Sequence, residues 1–274
     1  MVSTATPATA TVPLRALHDD RVTVASISAL AFMLSDVLHE GLGHACVALA
    51  TVAPQGVIST VAWSSAYDSK LVDAGGTIVN LVAAGAFWAL LRSARRASAA
   101  TRLFLLLSCA FNLFTGTGYF FFSGVTNFGD WAGVIAGLHP YTLWRAGLIV
   151  VGIVLYWGAV VVVGSALVRY MGVARTDSSR YWRLTVTSYL AAIVVSTLGG
   201  VMNPEGVQYV FLSALPATAG ADCGLLWMRY YVPKKVVPEG DGAPVLRSWT
   251  WIATGAVVAL AFILVLGRGI PLHR

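Results

Sequence analysis

Charged residues are scarce in this chain: Asp, Glu, Lys and Arg make up 11% of its 274 residues, against about 25% in ordinary globular proteins. So few charges cannot provide the polar surface that keeps a protein of this size dissolved in water, which excludes a soluble globular domain. Hydrophobic residues account for 57% of the chain, and its mean hydropathy is +0.75. The composition is therefore typical of an integral membrane protein.

Cysteine is also rare. Cys46, Cys109 and Cys223 lie in or beside apolar stretches and have no Cys-x-x-Cys spacing. This arrangement argues against both a disulfide framework and a zinc site made of thiolates. We interpret the three cysteines as small buried hydrophobic residues.

Seven apolar stretches have the length of about 20 residues that a helix needs to cross the hydrocarbon core of a bilayer. We therefore predict an all-α, polytopic membrane helix bundle of about seven transmembrane helices. We also predict a flexible amino-terminal tail at 1–21, a single transmembrane domain at 22–268 and a short carboxyl-terminal tail at 269–274. The stretches lie at about 22–53, 71–92, 103–122, 144–168, 184–202, 207–228 and 249–267.

The basic residues predict the orientation of the bundle, because Lys and Arg near helix ends are retained on the cytoplasmic side. Of the 18 basic residues, all but Lys70, Arg145, Arg268 and Arg274 fall on the side of the amino terminus. We expect this side to face the cytoplasm, in a bacterial inner or plasma membrane. The net charge of +6 is spread over separate loops, which favours contact with membrane lipid headgroups and argues against nucleic acid as a partner.

A segment of nine residues inside the first apolar stretch contains four ionisable side chains. They belong to the run Ser35-Asp36-Val37-Leu38-His39-Glu40-Gly41-Leu42-Gly43-His44. Such groups cost at least a few kcal/mol each at bilayer depth unless they are paired, ligated or hydrated, so the cluster indicates a functional site. In an HExxH helix, two histidines at i and i+4 hold zinc and the glutamate activates a water.

The histidines of this chain are one residue further apart, at i and i+5. An undistorted α-helix would point the rings of His39 and His44 about 140° apart. A π-bulge, or a break at Gly41 or Gly43, would bring both rings to one cavity. We therefore predict that the first span departs from α geometry between the two histidines.

The sequence of this run resembles the HExxxH motif of the dipeptidyl peptidase III family. In that motif two zinc-binding histidines are likewise separated by one residue more than in HExxH. In its membrane setting, Gly43-His44-Ala45 is similar to the motif helix of site-2-type intramembrane metalloproteases. The segments Ala74–Leu81 and Phe111–Phe114 resemble the Asn-containing and Phe-Asn-Leu segments that follow in that family. The resemblance implies a zinc metalloprotease with His39 and His44 as metal ligands and Glu40 as the catalytic base.

The same resemblance implies a third zinc ligand that is a downstream aspartate, and the nearest is Asp130. A second candidate is Glu205, in Asn203-Pro204-Glu205-Gly206. His39 lies 17 residues after Val22, about 25 Å along a helix, which carries it toward the outer leaflet. Asp130 and Glu205 fall on the outer side as well, so we expect the site in the outer half of the membrane.

Polar residues near the motif leave several roles open. Asp36 precedes Glu40 by one turn and is either a partner that orients a histidine or a carboxylate hydrated in the same cavity. Asn80 and Asn112 either support the site or form hydrogen bonds between helices with no part in chemistry. The aromatic run Tyr119–Phe122 is predicted to anchor a helix at the membrane interface.

Two histidines and one carboxylate leave zinc an open position, as in catalytic sites. The sequence thus favours a membrane-embedded zinc metallohydrolase that cleaves peptide bonds of a transmembrane or membrane-adjacent polypeptide. The alternatives are a zinc-dependent lipid amide hydrolase, a metal transporter or sensor without enzymatic activity, and a membrane scaffold.

Overall fold

Seven helical stretches form the body of the protein, as the sequence predicts. The computed structural model describes residues 18–172, 177–204, 206–230 and 242–274. Within these ranges, seven helical stretches are long and apolar enough to cross a membrane, which confirms the predicted class. They are Arg21–Thr51, Lys70–Ser93, Ala99–Thr126, Tyr141–Met171, Ser178–Val201, Val210–Trp227 and Trp249–Arg268.

Two of the spans depart from regular α geometry. The first runs from helix α1 (Arg21–Val37) through a π-helical segment at Leu38–Ala45 into α2 (Cys46–Thr51). The sixth is π-helical at Val210–Ala214 and Pro216–Gly220, 3₁₀ at Ala221–Cys223 and α-helical in α8 (Gly224–Trp227). The other α-helices are α3 (Lys70–Ser93), α4 (Ala99–Thr126), α5 (Asp130–Ile135), α6 (Tyr141–Met171), α7 (Ser178–Val201) and α9 (Trp249–Leu264).

The core of the bundle is built around α1 and α4. Helix α1 packs against α4, α7 and α9, and α4 packs against α3 and α6. Phe32 and Phe111 meet in this core with their rings edge to face and their centroids 5.7 Å apart. The outward faces carry exposed apolar side chains, among them Val154 at 63% and Val257 at 66%. Apolar surface of this kind is expected where helices face lipid rather than water.

A small antiparallel sheet covers one end of the bundle. It contains strands β1 (Gln55–Ile58), β2 (Trp63–Ser64) and β3 (Ile270–His273), in the order β2-β1-β3. Gln55 pairs with His273, and Val57 with both Ser64 and Pro271. The expected carboxyl-terminal tail at 269–274 is therefore largely a strand. A strand of four residues is too short to be predicted from the alternation of apolar and polar residues. It is stabilised by pairing with β1, which is distant in the chain.

The amino-terminal end of the domain is held by a buried ion pair. Of the predicted tail at 1–21, residues 1–17 lie outside the described residues, but Asp19 is buried. Its carboxylate accepts hydrogen bonds at 2.8 and 3.0 Å from Arg180 at the start of α7, and Arg180 also donates to the carbonyls of Gly242 and Ala243. Arg180 thus makes four hydrogen bonds inside the protein and is buried, whereas the spread of basic residues predicted contact with lipid headgroups.

Three glycines allow α3 to approach the π-helical segment. A Cβ atom on Gly75 would lie 1.9 Å from the carbonyl oxygen of Gly43, and a Cβ on Gly43 would lie 2.4 Å from Cα of Gly76. Small residues at such contacts let the backbones of membrane helices come together. This close approach brings the side chains and carbonyls of α3 within reach of the two motif histidines.

Candidate metal centre

The π-helical segment turns the two motif histidines toward each other. Over Leu38–Ala45 the backbone widens, and the N–H of Cys46 donates to the carbonyl of Gly41, five residues earlier. The Nε2 atoms of His39 and His44 lie 3.1 Å apart, and both residues are buried. The predicted departure from α geometry is confirmed, since rings splayed by about 140° could not meet in this way.

Asp130 joins the two histidines from a different part of the chain. Its Oδ2 lies 3.2 Å from His39 Nε2 and 3.5 Å from His44 Nε2. Two atoms bound to one zinc at 2.0–2.1 Å and the tetrahedral angle stand about 3.3 Å apart, so the three separations fit a common ion. Among the described residues, His39, His44 and Asp130 form a group that could hold a metal ion.

The end of α4 places Asp130. Asn127 ends this helix in the left-handed conformation, with φ of 59°, and Gly129 follows with φ of 80°. The chain thereby reverses, and α5 begins at Asp130 beside the histidines. Burial alone would raise the pKa of Asp130, but the facing imidazoles of His44 and His39 hold it well below its ordinary value. Asp130 is therefore an anion that meets two nitrogen atoms.

The remaining ring nitrogens are engaged in hydrogen bonds that define the tautomers. Nδ1 of His39 lies 2.5 Å from Oδ1 of Asn80, and Nδ1 of His44 lies 2.7 Å from the carbonyl of Val72. Both acceptors require a proton on Nδ1, which leaves the Nε2 lone pairs free to bind a cation. Metal-binding histidines in proteins are commonly oriented by acceptors of this kind.

An amide network holds Asn80 in this role. Its Nδ2 donates to Oδ1 of Asn112 at 2.8 Å and to the carbonyl of Ser35 at 3.2 Å. Asn112 in turn donates to the carbonyl of Ser108 at 2.8 Å. The two asparagines therefore do form hydrogen bonds between helices, and through Oδ1 of Asn80 the same bonds orient His39.

Glu40 lies beside the three ligand atoms and outside their group. It is buried, the backbone N–H of Trp63 hydrogen-bonds to its carboxylate, and its Oε2 has no hydrogen-bond partner among the described residues. Glu40, His44 and Asp130 line one cavity of about 210 Å³. The carboxylate of Glu40 therefore borders this cavity, and one of its oxygens is buried with no hydrogen-bond partner among the described residues.

The structure describes Asp36, one of the two other acidic residues that the sequence singled out, and does not describe the second, Glu205. Asp36 lines a small cavity of about 20 Å³ together with His39 and Glu40, a space large enough for about one water. Its Oδ2 has no partner among the described residues, and it is not a member of the ligand group. Glu205 lies outside the described residues.

The role of Tyr119 was missed in the sequence, where the run Tyr119–Phe122 was predicted to anchor a helix at the interface. Its ring stacks on His39 with centroids 4.9 Å apart. Phe120 stacks on Trp131 at 4.3 Å, and Trp131 donates to Thr77 Oγ1 at 3.0 Å. These contacts hold α5, and with it Asp130, against α3 and α4. No periodic signal marks Tyr119, since its importance arises from a neighbour on another helix.

Comparisons with known proteins give no further guidance to the site: the chain matches no protein-family model, no curated protein and no solved structure.

Gly76 offers a direct test of the site's geometry. A Cβ atom there would lie 2.5 Å from Nε2 of both His39 and His44. We expect Gly76→Ala to displace the rings and weaken metal binding about 10- to 100-fold, the range found when groups that orient ligands are lost. Calorimetric titration of the purified protein with zinc measures the effect. Gly85→Ala on the same helix is the matched control, since a Cβ there meets nothing within 4 Å. Equal losses in both variants would contradict the prediction.

Proposed function

We propose that this protein is a membrane-embedded zinc metallohydrolase that cleaves amide bonds, with peptide bonds of membrane-adjacent polypeptides as the expected substrates. The observation that carries the proposal is the convergence of His39, His44 and Asp130 on one point, with the carboxylate of Glu40 in the same cavity. Catalytic zinc sites typically have three protein ligands and an open position, whereas structural zinc sites have four protein ligands. The group in this protein has three ligands, and the glutamate beside it is not one of them.

The ligand set favours zinc over other common metals. Imidazole nitrogen suits zinc, copper, iron and nickel, while magnesium and calcium prefer sites made entirely of oxygen. Separations of 3.1 to 3.5 Å between the ligand atoms fit tetrahedral coordination. Zinc bound there would lower the pKa of a coordinated water to about 7 and polarise a carbonyl.

Glu40 carries the proton transfers in this proposal. Its free oxygen accepts a proton as water oxygen bonds to the carbonyl carbon of the substrate. The carbon–nitrogen bond then breaks, and Glu40 returns the proton to the leaving nitrogen. The products are a carboxylic acid and an amine, which exchange a proton at neutral pH to give a carboxylate and an ammonium ion. Asn80 and Val72 act as positioning residues, since they keep both histidines in the tautomer that presents Nε2.

The cavity beside the site supports a polar, extended substrate. Ser65, Tyr67 and Tyr209 line it together with the edge of β2, at the end of the bundle that carries the sheet. In the orientation that the basic residues predict, this end faces the outside of the cell. A bond presented from the outer membrane surface would therefore reach the site.

A metal transporter is the less favoured alternative. A channel-like route for metal ions would use several successive sites across the membrane. Among the described residues, His39, His44 and Asp130 are the single group of three or more His, Cys, Asp or Glu side chains that converges in this way. The carboxylate of Glu40, whose Oε2 has no hydrogen-bond partner among the described residues, is better suited to act as a general base than to line a path for ions.

The proposal is tested on purified protein in lipid nanodiscs. We expect about one equivalent of zinc per chain, cleavage of some members of a peptide library read by mass spectrometry, and complete loss of cleavage after treatment with a chelator. Addition of zinc should restore cleavage. Stoichiometric zinc without cleavage of peptides or acyl amides would overturn the hydrolase proposal, and absence of bound zinc at micromolar concentrations would overturn the metal centre itself.

A further inference from the structure

A second, larger cavity lies beside the metal centre. It has a volume of about 430 Å³ and is enclosed by α4, α6 and the sixth span. We call it the apolar chamber, since its walls are almost entirely hydrocarbon; they include Phe121, Val125, Ile153, Trp157, Ala217 and Trp227. Five of these side chains are also exposed on the membrane face of the bundle, namely Phe121 at 43%, Val125 at 49%, Ile153 at 54%, Trp157 at 48% and Trp227 at 55%. The chamber therefore borders the lipid.

The apolar chamber and the metal-site cavity share a wall. Tyr119, Phe122 and Pro216 line both of them, and Tyr119 is the residue whose ring stacks on His39. These three side chains separate the chamber from the cavity of Glu40 and His44, so a molecule that passed between them would enter that cavity. The two spaces are thus neighbouring parts of one site with opposite character.

Glycine and a tyrosine hydroxyl build the wall of the chamber. A Cβ atom on Gly152 would lie 2.4 Å from the backbone nitrogen of Phe121, so α4 and α6 can touch only with glycine there. Where the sixth span changes from π to 3₁₀ geometry, Tyr156 donates to the carbonyl of Ala221 at 2.5 Å and accepts from the N–H of Gly224 at 2.8 Å. Irregular backbone inside a membrane persists where such partners satisfy it.

The volume of the chamber indicates a slender occupant. One turn of a helix about 10 Å across occupies roughly 420 Å³, so the chamber holds about one turn, whereas a transmembrane helix needs more than five turns. A single alkyl chain matches both the volume and the lack of polar walls. On the other side of the shared wall, Asp68 and Asp73 line the metal-site cavity, where negative charge favours an amine that becomes protonated.

We propose that the apolar chamber binds the acyl chain of a long-chain N-acyl amide, whose amide bond lies at the metal centre and whose amine portion lies beside Asp68 and Asp73. This inference rests on the proposed function and names its substrate class. In the reaction, water oxygen bonds to the acyl carbon and the carbon–nitrogen bond breaks. One water proton returns to nitrogen through Glu40, and the new carboxylic acid gives its proton to the amine, which yields a fatty-acid carboxylate and an ammonium group in the acidic cavity.

Binding is tested separately from turnover in the Glu40→Gln variant. The probe is an N-acyl lysyl dipeptide with a photoreactive diazirine in its acyl chain, and crosslinks are mapped by mass spectrometry. We expect labelling of the chamber walls on α4, α6 and the sixth span. Competing acyl dipeptides of increasing chain length should gain about fourfold in affinity per methylene when affinity is referred to their free concentration in water, and the gain should stop when the chamber is full.

A matched pair of glycine variants tests the location. Gly220 lines the chamber, and a Cβ there meets nothing nearer than 4.0 Å, while Gly158 on α6 is equally open and does not line it. Gly220→Phe should abolish crosslinking within the chamber, and Gly158→Phe should leave it unchanged. Equal effects of both variants, or labelling spread evenly over the lipid-facing surface, would overturn the proposal.

The outcomes also separate this proposal from the proposed function. Crosslinking in the chamber without hydrolysis by the wild-type protein would support the acyl-binding site and overturn the proposal that the protein is a hydrolase. Zinc-dependent cleavage of unacylated peptides with no chamber labelling would overturn the acyl site and keep the hydrolase. A second probe, with the same acyl chain on a sphingoid base, identifies the source of the amide: faster hydrolysis of this probe indicates a membrane lipid, and faster hydrolysis of the dipeptide indicates an acylated polypeptide.

Discussion

Glu40→Gln is expected to lower turnover about 10²- to 10⁴-fold, the contribution that a positioned general base makes, while zinc remains bound. Glutamine has the shape of glutamate, but its amide cannot accept the proton of water. Glu40 is buried and has a free Oε2 beside the ligand group without belonging to it. Turnover of a cleaved library peptide and zinc content by mass spectrometry are measured on the same preparation.

A second buried carboxylate provides the control for this variant. Asp222 is fully buried, and neither of its oxygens has a hydrogen-bond partner among the described residues. It does not belong to the ligand group, so Asp222→Asn replaces a buried carboxyl group elsewhere in the bundle and leaves the ligand group intact. We expect its turnover to stay near that of the wild type. If Glu40→Gln turned over substrate at the wild-type rate, Glu40 would not be the base.

His39→Ala and His44→Ala are each expected to weaken zinc binding by more than about 100-fold, since loss of a group that merely orients a ligand already costs 10- to 100-fold. Nε2 of each ring lies within 3.5 Å of Oδ2 of Asp130, so removing either ring leaves two ligands where three converge. Zinc affinity is measured by competition with a chelating dye, and hydrolysis should disappear in parallel.

His273→Ala is the matched control for the histidine variants, because His273 is an exposed residue of β3 and not a member of the ligand group. It should bind zinc as the wild type does. Should His39→Ala retain stoichiometric zinc while Glu40→Gln loses it, Glu40 and His44 would be the ligand pair. The assignment of Glu40 as base would then be wrong.

The geometry of the motif was predictable because it depends on local chain geometry. Spacing of i and i+5 is incompatible with a shared cavity on an α-helix, and Gly41 and Gly43 in the interval make a wider turn inexpensive. The π-helical segment at Leu38–Ala45 follows from these facts. The sequence could not show that Gly43 also contacts Gly75 and Gly76, because that contact depends on how two distant helices pack.

The sequence by itself determined the class of the protein and three members of the site. Span length and hydropathy depend on consecutive residues, so the seven helices could be located within a few residues of their ends. His39, Glu40 and His44 are likewise near in sequence, and their cost inside a membrane marks them without further information.

Only the tertiary structure decided the rest, since it joins residues that are far apart in the chain. It brings Asp130 to the histidines by a reversal at Asn127 and Gly129, and it places the carbonyl of Val72 and the amide of Asn80 behind the rings. It also stacks Tyr119 on His39 and encloses the apolar chamber between helices whose sequences show only uniform hydrophobicity. Side chains in lipid and side chains in a cavity are equally apolar, and only helix packing distinguishes them.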